Sequence, residues 1–263
     1  MSVSGEVVEA DPYTALAVVY DDIVVDRCHG RWARHIHELW GGDPDGVTTV
    51  LDVCCGTGLM TAELADLGYR VAGVDASQAM LDRARRLLGP DAVLVRATLP
   101  DLGVGDVFDA AVSTLDGFNH LTPEAFRAAL AALATRIRLG GWLVFDVHTD
   151  AMMELMLANP VLRGEEDGHR FTLTSTVDTR ARTCDTRIRV TGEGVARFTE
   201  RHRQWFFPEA DIRGALAAAG FERVTVTDEY AHRPLDPSSL RATWTARRGP
   251  IPAGIAQEAT QCS

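Results

Sequence analysis

The chain has 263 residues, 46% of them hydrophobic, and a formal net charge of −11; its 26 basic residues are all arginine. One substantial core fits that length, no apolar run is long enough to span a bilayer, and the acidic balance disfavours nucleic acid or another polyanion as partner. Without a single lysine, Schiff-base chemistry, pyridoxal-phosphate attachment and a P-loop are excluded.

Residues 1–10 carry Glu6 and Glu9 and no basic stretch before an apolar run. They read as a flexible tail rather than a secretory signal, which makes the cytoplasm the expected location and leaves no membrane partner. Val50–Val53 is an apolar strand that runs into Cys54, Cys55, Gly56, Thr57 and Gly58. A helical pattern of Leu59, Ala62, Leu64 and Leu67 follows, then the strand Arg70–Val74 closed by Asp75. Ser77 can cap a helix carrying Met80, Leu81 and Ala84, and Ala92–Arg96 is a third strand. Phe108–Ser113 is a fourth. Thr122, Pro123 and Glu124 start a helix that runs towards Arg138, Leu139-Gly140-Gly141 ends it, and Trp142–Val147 is a fifth strand. Strands alternating with helices at this spacing predict an α/β fold with a doubly wound, mostly parallel sheet.

The pattern then changes. From Phe171 to Val190, and again from Val195 to Phe207, polar and apolar residues alternate, so 160–207 is expected to be a small inserted antiparallel sheet serving as a lid. The alternation places Phe198, Glu200, His202, Gln204 and Phe206 on one face, and one face should look into a substrate cavity. Arg180, Arg182, Arg187 and Arg189 read as a solvated edge. A helix with Ile212, Leu216 and Ala219, then two strands at Phe221–Thr227 and Leu240–Ala246, complete a single domain over 11–248. Residues 249–263 read as a second flexible tail.

The glycines at 56 and 58 let a ligand approach the main chain, the helix that follows offers free N–H groups, and an acid about 20 residues on is placed for ribose hydroxyls. The pattern is that of a nucleoside site. A dinucleotide fingerprint would need a third glycine where Thr61 stands. Cys28, Cys54, Cys55, Cys184 and Cys262 contain no C-x-x-C pair; a structural zinc site is not expected, and Cys54 and Cys55 read as reduced, small residues.

Asp52-x-x-Cys55-Gly56-Thr57-Gly58, followed by Gly73-Val74-Asp75-Ala76-Ser77 and Met80-Leu81, resembles the first motifs of class I S-adenosylmethionine-dependent methyltransferases. Over residues 13 to 247 the chain resembles bacterial small-molecule N-methyltransferases acting on antibiotics or aminosugars. Tyr20-Asp21, Asp116 to Leu121, Leu139 to Trp142 and Glu200-x-His202-Arg203 carry that part. The resemblance implies a seven-stranded sheet whose last strand is antiparallel, S-adenosyl-L-methionine as cofactor and a small-molecule acceptor; a homo-oligomer is allowed. It implies that Tyr20, Asp52 and the loop from Cys54 to Gly58 meet the cofactor's aminoacyl end, that Asp75 and Ala76 meet the ribose, and that Met80, Thr98, Leu99, Ser113 and Leu115 surround the adenine. Thr98 stands where relatives carry an acid, so a charge-assisted contact is missing.

Methyl transfer from a sulfonium asks the protein to align an acceptor and exclude water, and an amine acceptor must lose a proton. His120, Tyr20 and Tyr13 are the expected catalytic residues, with His120 first because its loop leaves the carboxyl edge of the fourth strand. Phe118, Asn119, His148 and His202 are expected to bind substrate, Phe118 as a cavity wall. Asp116, Asn119, Asp146 and His148 show no recognised ligand spacing, and no metal is expected. An O-methyltransferase and a non-catalytic cofactor-binding regulator remain as alternatives.

Overall fold

The computed structural model describes residues 8–23, 28–43, 46–192 and 195–250. In chain order, strand β1 (Val8–Ala10) precedes a short 3-10 turn, then helices α1 (Tyr20–Ile23) and α2 (His29–Trp40). The alternating part holds β2 (Thr49–Val53), α3 (Leu59–Asp66), β3 (Arg70–Asp75), α4 (Gln78–Leu88), β4 (Val93–Arg96), β5 (Phe108–Ser113), α5 (Pro123–Arg136) and β6 (Ile137–His148). After α6 (Asp150–Ala158) come β7 (Val161–Glu166), β8 (His169–Asp178), β9 (Thr183–Gly192) and β10 (Val195–Trp205). The chain returns through α7 (Glu209–Ala218), β11 (Phe221–Asp228) and β12 (Arg241–Arg248).

Seven strands form the main sheet in the order β11-β12-β6-β5-β2-β3-β4. Only β12 runs against its neighbours, pairing antiparallel with both β6 and β11. Both faces are covered, so its strands are apolar on both sides. Leu51, Ala111, Leu143 and Phe145 pack with Phe126, Leu130 and Leu216 on one face. Val50, Ala110, Val112 and Val144 pack with Trp32, Ile36, Met60 and Leu64 on the other. Strand order reverses between β2 and β5, and the carboxyl ends of those strands frame a crevice, where folds of this kind bind ligands.

The helix starts were legible. Ser77 accepts a hydrogen bond from the Met80 N–H, and Thr122 accepts one from Ala125 ahead of Pro123. Leu139-Gly140-Gly141 is not the helix terminator it was expected to be. The helix stops at Arg136 and β6 begins at once, with Gly140 at φ +73° inside a bulge where the β5–β6 register shifts. A Cβ on Gly141 would lie 2.5 Å from the Asp109 carbonyl, so close strand approach explains that glycine.

The second sheet has the order β1-β10-β9-β8-β7. Two expectations are corrected by it. Residues 8–10 are not part of a flexible tail: they form β1, which pairs parallel with β10 through Val8–Phe198 and Ala10–Glu200. Residues 1–7 and 251–263, with Cys262, lie outside the described residues. The arginine-rich strand is not an edge, since β9 is the middle strand; Arg187 and Arg189 stand on it, and Arg182 precedes it and bonds Asp150 and the Phe206 carbonyl. No helix among the described residues is long and apolar enough to cross a membrane.

Candidate active site

The loop after β2 leaves regular geometry at once: Cys54 has φ +58°, Gly56 +55° and Gly58 +85°, the last at the N-cap of α3. A Cβ at Gly56 would meet no protein atom within 4 Å, and Gly56 lines the crevice. Asp75, at the end of β3, accepts hydrogen bonds from the N–H groups of Gly56 at 2.9 Å and Ser77 at 2.8 Å. Burial raises its pKa, against the opposing pull of those donors. This carboxylate therefore ties two loops together while facing the same cavity as both.

That cavity encloses about 260 Å³. Tyr13, Tyr20, Cys54, Cys55, Gly56, Thr57, Asp75, Ala76, Met80, Thr98, Leu99, Leu115 and His120 all line it. Burial raises the pKa of both Cys54 and Cys55, and both are free, so they stand as protonated thiols in the wall. A wider cleft of about 650 Å³ adjoins it, sharing Tyr13, Asp75, Ala76 and His120 and adding Arg96, His202 and Trp205.

Between the two spaces stands a cluster of rings. Tyr13 Oη lies 2.9 Å from His120 Nε2, and the Tyr13 ring meets His202 edge-on at 4.5 Å and Tyr20 at 6.0 Å. With His120 as the Nδ1–H tautomer, Nε2 can accept the Tyr13 hydroxyl proton. Burial, with His202 adding to it and Asp116 opposing, lowers the His120 pKa. Burial raises both phenols well above their ordinary value. At neutral pH the pair is a neutral phenol beside a neutral imidazole.

The N-terminal segment closes over the cavity because Glu200 captures it. This fully buried carboxylate on β10 accepts hydrogen bonds from the N–H groups of Tyr13, Thr14, Ala15 and Leu16, at 2.8 to 3.2 Å. It also lies 2.9 Å from His202 Nε2. Ser77 Oγ donates to the Tyr13 carbonyl, and Thr57 Oγ1 donates to Asp21. The face of β10 that carries Phe198, Glu200 and His202 is the buried one, while Arg201 and Arg203 are exposed.

Several expected contacts are corrected by position. Phe118 is no cavity wall: it is fully buried against Phe126 and Phe145. Asn119 is also fully buried, donating to the Trp205 carbonyl and accepting from the His148 N–H, which ties β6 to β10. His148 is buried outside both spaces, stacked on Phe206 with Nε2 3.5 Å from Asp116, and burial lowers its pKa to about 4. Asp52 points at α3 and accepts from Thr61 Oγ1 at 2.6 Å; burial raises its pKa to about 7. Ser113 is fully buried, and neither it nor Gly58 lines the cavity.

Sequence reasoning missed the residues that brace the wall. Leu115 and Asp116 both have positive φ, +55° and +52°, and Asp146 accepts from both their N–H groups, at 2.9 and 2.6 Å. Tyr230 donates to Asp146 at 2.8 Å, and Arg241 reaches both Asp146 and Asp116. Burial raises Asp146 to about 6, while the burial of Asp116 is outweighed by His148 and Arg241, which lower it. An acid within the apolar run of β6 and an arginine opening β12 were the available signals.

Residues 50–141 match a family model described as a methyltransferase domain. The chain is 30% identical to the dTDP-3-amino-3,4,6-trideoxy-alpha-D-glucopyranose N,N-dimethyltransferase of Streptomyces venezuelae, over 78% of this chain and 89% of that one. It is 26% identical to a putative methyltransferase of Bacillus subtilis over 90% of this chain and 97% of the relative. In fold it is similar to an S-adenosylmethionine-dependent methyltransferase of Clostridium acetobutylicum, with a TM-score of 0.80 and 23% identity over 89% of this chain and 98% of that one.

Proposed function

This chain belongs to the class I S-adenosylmethionine-dependent methyltransferases, and from that premise we propose that it methylates an amine nitrogen of a small secondary metabolite of the antibiotic or aminosugar class. The reading is carried by the Tyr13–His120 pair standing at the shared wall of a cofactor-sized cavity and a wider cleft.

The cavity fits S-adenosylmethionine on this chain's own features. Gly56 leaves open the space that a Cβ would fill, and Asp75 supplies a carboxylate between two loops. The loop backbone around Cys54 to Gly56 would hold the aminoacyl end, Asp75 the ribose, and Met80, Thr98 and Leu99 the adenine. When bound, the cofactor supplies an electrophilic methyl group on a sulfonium.

The protein's part is alignment, dryness and proton handling. Tyr13 and Tyr20 line the crevice, and Glu200 holds the segment that carries Tyr13. A proton leaving the acceptor nitrogen passes to Tyr13 Oη as the phenolic proton moves to His120 Nε2; neither residue carries a net charge beforehand. The wider cleft gives the acceptor room, which a purely regulatory cofactor binder would not need.

The test is incubation of the purified chain with methyl-labelled S-adenosylmethionine and a panel of aminosugars, aminosugar nucleotides and their hydroxyl analogues. Label on nitrogen is the expected result. Label only on hydroxyl oxygens, or binding of cofactor with no transfer to any amine, would overturn the proposal.

A further inference from the structure

We propose that His35, Glu38 and His232 form a binding site for one zinc-class divalent cation, apart from the methyl-transfer cavity, which ties the segment between β11 and β12 to α2. His35 and Glu38 stand three residues apart on α2 and so share a face of the helix. His232 comes to that face from the turn after β11. Ligand atoms of all three lie within 4.8 Å of one another. His232 Nε2 is 3.2 Å from Glu38 Oε2, and the His35 and His232 ring centroids are 4.5 Å apart.

His35 is the anchor. It is only 7% exposed, and its ring lies beside that of His232. Glu38 and His232 are exposed and give an ion its path in. Two imidazoles and one carboxylate suit borderline cations such as Zn²⁺ or Co²⁺, with water completing the shell; Mg²⁺ and Ca²⁺ prefer all-oxygen sites.

The site has a mechanical consequence. Two residues before His232, Tyr230 stacks on Trp32 of α2 at 4.5 Å and donates to Asp146. Asp146 in turn holds the Leu115–Asp116 turn in the cavity wall. A cation at the site would fix the segment that braces that wall.

The experiment uses the full chain without an affinity tag, titrated with ZnCl₂ by calorimetry and with CoCl₂ by visible absorption. One equivalent bound, cobalt d–d bands and a raised Tm are expected, with Mg²⁺ giving no shift. His232→Ala and Glu38→Gln, both at exposed positions, should each weaken binding by at least about tenfold and remove the Tm rise. S-adenosylhomocysteine binding serves to show that both variants fold. No saturable binding, undiminished binding by His232→Ala, or an equal shift with Mg²⁺ would overturn the site.

Discussion

Glu200→Gln is the sharpest perturbation of the N-terminal segment over the cavity, because it keeps the side chain's shape and removes only charge and one acceptor. Oε1 serves Thr14, Ala15 and Leu16, while Oε2 serves Tyr13 and His202. An amide oxygen can keep the first three donors, but its NH₂ would then face the Tyr13 N–H. Leaving one buried donor unmet costs about 1–3 kcal/mol, and the remaining bonds lose their charge assistance. A local destabilisation of about 2–3 kcal/mol follows, which is about 30- to 150-fold in the opening equilibrium of residues 13–16. Native-state hydrogen exchange of those four amides should accelerate by that factor, while amides of Leu51 and Val144 in the main sheet keep their protection. Since Tyr13 belongs to the same segment, turnover should fall as well. Unchanged exchange at 13–16 would show that this carboxylate does not hold the N-terminal segment.

Asp75→Ala should weaken S-adenosylhomocysteine binding by about 1–3 kcal/mol, read by calorimetry, since a carboxylate that faces the cavity and orders the Gly56 loop is lost; unaltered affinity would remove it from the cofactor site. His120→Gln should lower kcat while sparing cofactor affinity. In the wild type kcat should fall as pH drops through the His120 pKa, which lies below the ordinary histidine value, and that limb should vanish in the variant. Tyr13→Phe should lower kcat too, without moving the cofactor Kd more than about twofold. Asp52 is raised to about 7 by burial, so between pH 4 and 7 the folded chain binds a proton the unfolded chain has released, and stability falls as pH rises through that window. Asp52→Asn should flatten the loss; denaturant titrations at pH 5 and pH 8 should differ from wild type by roughly 3 kcal/mol in relative stability. An identical slope in both proteins would show that Asp52 is ionised in the fold.

Much of the main sheet and the loop from Cys54 to Gly58 was legible because their signals are local. Gly56 and Gly58 mark backbone that needs positive φ, Ser77 and Thr122 cap the helices that follow them, and continuous apolar strands mean a sheet covered on both faces. Asp75 could be found because its distance from the glycines is set by one helix and one strand.

What the tertiary structure alone decided is which distant segments face each other. Glu200 reads as one charge in an alternating strand, yet its partners lie 184 to 187 positions earlier. Val8–Ala10 is too short and polar to announce a strand until β10 offers an open edge. Phe118 and Asn119 adjoin the cavity residues in sequence, but the turn that follows the positive φ of Leu115 and Asp116 sends them into the core while His120 reaches the cavity. Local periodicity fixes which elements form; the burial and partners of a polar side chain depend on contacts closed across the whole fold, and no window of sequence contains them.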